Sequence, residues 1–163
     1  AEERERLYEQ LFGSLDDGFC IIEFIDGPQG PNSDYIHIFA NAAFERHAGI
    51  ADVVGQRLRE LVAPEAADDW SARYRSVLET GQPIRFERAL EETGRYLSLS
   101  SFRIEPSDHR RVAVLFQDIS ARRQDEEDLR ELNRTLETRV SQALQERRAL
   151  ADIVEGAKAF VQV

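Results

Sequence analysis

Three histidines (His37, His47 and His109) and one cysteine (Cys20) are the side chains best suited to nucleophilic attack, proton transfer or metal ligation. Their spacing assembles none of these chemistries. There is no H-E-x-x-H segment and no Gly-rich loop ending in Lys-Ser or Lys-Thr to cradle a phosphate. No histidine stands in an S-H-E-L-R-like phosphoacceptor segment. Without a paired acid and base the chain reads as a non-enzyme with no metal site. Cys20 sits in an apolar run, where a lone thiol behaves as a small hydrophobe. Glu87 and Arg88 in "RFERAL" suit a charged ligand, or cross-strand ion pairs on a solvated face.

The densest polar chemistry lies at one junction. The apolar run "VAVLFQ" turns, with no Gly or Pro, into "DISARRQDEEDL". Ser120 reads as a helix N-cap, and a carboxylate at Asp118 gains about 0.3–1 kcal/mol beside the positive end of a helix dipole. The acidic "DEEDL" reads as a solvated helix face. Over the whole chain the net charge is -10, which disfavours nucleic acid and anionic membrane surfaces as partners. No apolar run approaches the ~20 residues of a membrane helix. "AEERERLYEQ" lacks the apolar centre of a signal peptide. A single cysteine allows no internal disulfide and fits a reducing, cytoplasmic setting. With no initiating Met and a last stretch that breaks off in mid-pattern, the chain reads as a segment of a longer protein.

The elements that must hold this junction follow from periodicity. Leu7, Leu11 and Leu15 recur every four residues and predict an amphipathic helix over 1–17. "GFCIIEFID" and "YIHIFAN" predict two strands around an eight-residue loop, Gly27 to Asp34, as an antiparallel hairpin. Asn41 and Gly49 bracket a short helix. Two more helical stretches follow, the second with Trp70, Tyr74, Val77 and Leu78 on one face. "IRFERAL", "RYLSLSSFRIE" and "RRVAVLFQD" predict three strands at hairpin spacing. Phe102 and Ile104 run out of step with Leu97 and Leu99, which predicts a bulge near Ser100 and Ser101.

From Ser120 onward a narrow apolar stripe runs through Leu129, Leu132, Leu136, Val140, Ala143, Leu150 and Val154. So narrow a stripe suits a coiled-coil seam. Its steps of three, four and four make a stutter, which locally unwinds a left-handed supercoil. Arg147 falls on the stripe and weakens that turn. A long polar helix cannot bury such a seam on one small domain, so a second copy is the economical partner. A parallel homodimer through Leu7, Leu11, Leu15, Leu129, Leu132, Leu136, Val140, Leu150 and Val154 is preferred; an antiparallel pair or another helix is the alternative.

This order of elements, with three quoted segments, resembles a PAS domain followed by a signalling helix, as in bacterial sensor histidine kinases. "FANAAFERHAGI" is similar to the family's N-x-A-F-x-x-x-x-G segment, "VVGQRLRELV" to the G-x-x-x-x-x-L stretch, and "VAVLFQDISARRQDEEDL" to the last strand with its D-I-T-x-R-K junction. The resemblance spans about Asp17 to Leu129. It implies an α+β fold: a five-stranded antiparallel sheet with short helices on one face, flanked by the N-terminal helix and the coiled-coil helix. The corresponding divisions are 1–17, the PAS domain 18–119, the signalling helix 120–158, and the start of a following domain at 159–163. The function implied is sensing and relay, with a covalently linked effector in a two-component system. It also implies that Asp118 pairs with a basic residue of the next helix, for which Arg122 and Arg123 match.

The resemblance argues against the best-known cofactors. Blue-light flavin PAS domains carry a cysteine in G-x-N-C-R-F-L-Q; the matching stretch is "GQRLRELV", with Leu58 in that place. Their flavin-bonding glutamine corresponds to Phe116. Haem PAS sensors place a ligand histidine on the longest helix, and "PEAADDWSARYRSVLETG" has none. Cys20 does not match the cysteine that holds a chromophore in the yellow-pigment type. The ligand is therefore unassigned. Leu58, Leu97, Leu99, Val112, Val114 and Phe116 would line a pocket for an unidentified small molecule, or else fill a solid core. Ser101 and His37 would supply polar contacts in the first case.

Overall fold

The computed structural model describes residue 3 and residues 16–161. The N-terminal helix expected over 1–17, with Leu7, Leu11 and Leu15, lies outside the described residues. The chain divides into two compact units, residues 1–120 and 121–163.

In the first unit, strands β1 (Gly18–Gly27) and β2 (Gly30–Ala40) are followed by helices α1 (Ala42–Ala48), α2 (Leu58–Leu61) and α3 (Pro64–Thr80). Strands β3 (Ile84–Leu90), β4 (Arg95–Ile104) and β5 (Arg111–Asp118) complete it. The strands form one sheet in the order β2-β1-β5-β4-β3, with each neighbouring pair antiparallel. The expected α+β architecture is therefore present, and α1 and α3 pack on the sheet.

Asn41 explains how the hairpin passes into α1. Its side-chain oxygen accepts the N–H groups of Phe44 and Phe19, and its amide donates to the carbonyl of Asp17. One side chain thus caps a helix and pins the start of β1. Gly49 closes α1 at φ 76°, a left-handed conformation that costs other residues strain. Helix α3 opens on Pro64, whose missing N–H is no loss at that position. It buries Ala66, Ala67, Trp70, Tyr74, Val77 and Leu78 along the face its periodicity predicts.

Two expectations change. The β1–β2 connection is a tight turn, with Gly27 paired to Gly30. Ser33 ties that turn, donating to the Gly30 carbonyl and accepting from the Gln29 N–H. Pro31 inside β2 is tolerated because β2 is an edge strand that need not donate on its outer side. The second change concerns β4, which carries no bulge at Ser100 and Ser101. Its register to β3 and β5 is continuous from Leu90↔Arg95 to Ile104↔Arg111. Leu97, Leu99 and Ser101 alternate inward, so the polar Ser101 occupies an interior place while Phe102 lies on the opposite face, 40% exposed. The irregularities fall instead on β1 against β2, between Ile21 and Ile22 and between Ile25 and Gly27.

The second unit is helix α4, which runs Ser120–Val161 and buries no residue. Its 42 residues give a rod of roughly 63 Å at ~1.5 Å per residue. It remains helical through residues 159–161.

Candidate ligand cavity and output junction

Between α1–α3 and the inner face of the sheet lies a cavity with about 60 Å³ open to the centres of water-sized atoms. Leu58 reaches it from α2, Leu97 and Leu99 from β4, and Val114 and Phe116 from β5. With His37 of β2, these are six of the eight residues that the sequence offers for a pocket. Val112 and Ser101 are fully buried on the same sheet face but are not on the cavity wall. The hydroxyl of Ser101 has no hydrogen-bond partner among the described residues.

The aromatic part of the wall was not foreseen as one group. Tyr35 and His37 come from β2, Phe44 from α1, and Trp70 and Tyr74 from α3. The rings interlock: Tyr35 meets His37 and Tyr74 edge-on, Phe44 meets Phe116 edge-on, and Trp70 stacks on Tyr74. The available signal was alternation in "YIH" together with the Trp70–Tyr74 helical spacing. Each points inward, but only the fold brings the two together.

Among the described residues, the wall carries no charged side chain. Burial pushes the phenols of Tyr35 and Tyr74 far above their usual range, so both keep their protons. Burial lowers His37, more than its bond to the Gln56 carbonyl and the nearby Asp34 raise it. The Nδ1 of His37 lies 3.1 Å from that carbonyl, which can only accept, so Nδ1 carries the proton and Nε2 keeps a lone pair. Burial also raises the Cys20 thiol to about 12, which makes it an inert apolar group. The Trp70 indole N–H is buried with no acceptor among the described residues. Outside the wall, Arg88 lies 4.8 Å over the Trp70 ring and donates to Asp69 at 2.6 Å. Arg88 is thus engaged with helix α3.

Two residues beyond Phe116, β5 ends at Asp118. Its carboxylate accepts the N–H of Ser120 at 2.9 Å and also the Ser120 hydroxyl. The Ser120 oxygen accepts the Tyr96 N–H of β4 at 2.9 Å, and the Ile119 N–H donates to the Tyr96 carbonyl. The capping expected of Ser120 is therefore performed by Asp118, and Ser120 fastens the first residue of α4 to β4. Arg95 extends the cluster, with Nη1 3.9 Å from the Asp118 carboxylate and bonded to the Arg46 carbonyl. The backbone N–H of Asp118 donates to Nδ1 of His47 at 2.9 Å. Arg95 and His47 had no signal in the sequence, because both act from distant elements. Arg122 and Arg123 stand in the first turn of α4, where Arg122 lies 3.8 Å from Glu126.

On α4 itself, Leu129, Leu132, Leu136, Val140, Leu150 and Val154 are exposed, Leu136 by 49%. Leu144 and Ile153, not anticipated on the stripe, are exposed too.

A sequence model of the PAS fold matches residues 17–124. The chain belongs to the PAS family. The PAS domain of BvgS from Bordetella pertussis superposes with a TM-score of 0.54 at 14% identity, over 82% of this chain and 98% of that one. A LOV protein of Rhodobacter sphaeroides gives 0.53 at 12% identity, over 74% and 69%. A PAS domain from a two-component sensor histidine kinase gives 0.50 at 12% identity, over 72% and 97%. At such identities these likenesses speak for the PAS fold alone. No curated protein matches the chain in sequence. Among the described residues of this PAS chain, no helix is long and apolar enough to cross a membrane, and no three His, Cys, Asp or Glu side chains gather as metal ligands.

Proposed function

We propose that this PAS domain is the sensor and relay module of a larger cytoplasmic signalling protein, a sensor histidine kinase in a two-component system. One observation carries the reading. Strand β5 contributes Val114 and Phe116 to the cavity wall and, two residues later, Asp118 to the cluster that fixes Ser120. At ~3.3 Å per residue the two ends of that path are about 7 Å apart. A change at the cavity that moves β5 therefore acts on the start of α4 through a few covalent bonds. The route is short and lacks Gly or Pro, so little of the movement is absorbed.

The exposed apolar stripe of α4 supports homodimerisation through the flanking helices, with a parallel pair preferred. The stutter between Leu129 and Val140 would give that coil two neighbouring packings for the relay to choose between. Arg122 and Arg123 are the partners proposed for Asp118 as the packing changes. The decisive test is Asp118→Ala in the full-length protein. Effector output should change while the domain keeps its fold by circular dichroism; an unchanged output removes the junction from the mechanism.

A second reading is a ligand-free spacer in a tandem PAS array. The small cavity favours it, as does "ADIVEGAKAFVQV", which is similar to the segment leading into a further PAS domain. Native mass spectrometry separates the two: a retained small molecule supports the sensor, and a clean mass with a ligand-insensitive melting temperature supports the spacer.

A further inference from the structure

We infer that the cavity accepts an uncharged organic molecule of about five non-hydrogen atoms that carries a hydrogen-bond-accepting oxygen. This rests on the sensor reading above and sharpens it. Size comes first: 60 Å³ at roughly 10–15 Å³ per water position holds four to six such positions. A flavin or a haem is many times larger. Charge comes second. Among the described residues, no charged side chain lines the wall, and burial holds Tyr35, Tyr74 and His37 in their neutral forms. An ion entering this space would lose its hydration with no counter-charge in return. Polarity comes third. The buried Trp70 N–H lacks an acceptor among the described residues. A donor is thus left to satisfy on a largely apolar wall, and a carbonyl or hydroxyl oxygen is the group that satisfies it.

The test uses four probes of matched size on the whole 163-residue chain: 2-butanone and isobutanol, which are neutral, and isobutyrate and isobutylamine, which are charged. Saturation-transfer NMR should show millimolar binding of the neutral pair, at least about tenfold tighter than the charged pair. Filling the cavity with Leu99→Phe, or with Val114→Ile where the larger change prevents folding, should abolish it. Equal binding of the charged probes, or no binding of either neutral probe, overturns the assignment. The relay reading fails separately, through Asp118→Ala, so loss of one leaves the other standing.

Discussion

Helices α3 and α4 share a period and a polar outer face, but they stand in opposite physical situations. Helix α3 spends its apolar face on the sheet: Trp70, Tyr74 and Val77 are almost wholly buried. Helix α4 is far longer, and its described apolar residues are all exposed. An isolated helix draws little stability from propensity alone and depends on packing of its apolar face. The stability of α3 is thus internal to the domain, whereas that of α4 depends on what covers Leu129, Leu132, Leu136 and Val140. Amphipathic spacing says that a face is to be covered; the width of the stripe says by what.

Substitutions in the two helices should therefore report to different instruments. The largest effect is expected from Trp70→Ala, which removes a ring from the domain interior and should cost about 3–5 kcal/mol, read as a fall in the melting temperature at any protein concentration. Leu136→Asp should leave that transition in place. On the proposed dimer it should instead shift sedimentation from dimer toward monomer, and a variant that sediments as the unsubstituted chain does would put any interface elsewhere. Gly18→Ala comes next. A Cβ on Gly18 would lie 2.5 Å from the Phe116 ring, and relieving such a clash should cost about 1–3 kcal/mol, with the amide shifts of β5 displaced while those of α4 beyond its first turns stay put.

The smallest effect concerns pH and belongs to α3 alone. Burial works against the charged form of Asp69, but hydrogen bonds from Arg73 and Arg88 outweigh it and hold the carboxyl below its ordinary value. A carboxyl depressed in the folded state stabilises above its unfolded value, and that stability is lost as pH falls through the folded value. The side chain is 42% exposed, so screening keeps the contribution under about 1 kcal/mol. Asp69→Asn should flatten the acid limb of a stability–pH curve by that amount and leave neutral-pH output unaltered.

How far the molecule was legible beforehand follows from range. Element order, the α3 face and the cavity positions on β4 and β5 are set by local alternation, and they stood in the sequence. The bulge expected near Ser100 and Ser101 is absent: apolar patterning reads a polar residue as a break. The register of β4 overrules that: its partners Ile84 and Val114 run on without interruption. Asp118 and Ser120 are neighbours and were readable as a junction. Arg95 and His47 reach it from β4 and α1, contacts that no local pattern encodes. The aromatic wall is the same case, since β2 and α3 meet only after the chain has crossed the sheet.

The strand order has one more consequence. Because β1 and β5 are adjacent, Gly18 pairs with Phe116, and the first and last strands of the domain open at the same end of the sheet. Adjacent strands lie about 4.8 Å apart. A unit whose two ends part company within so short a distance can be spliced into a connecting segment, or removed from it, with little change in the span that segment must bridge. On that ground the domain is built to be inserted in a connecting segment, or repeated along it, at little cost in span.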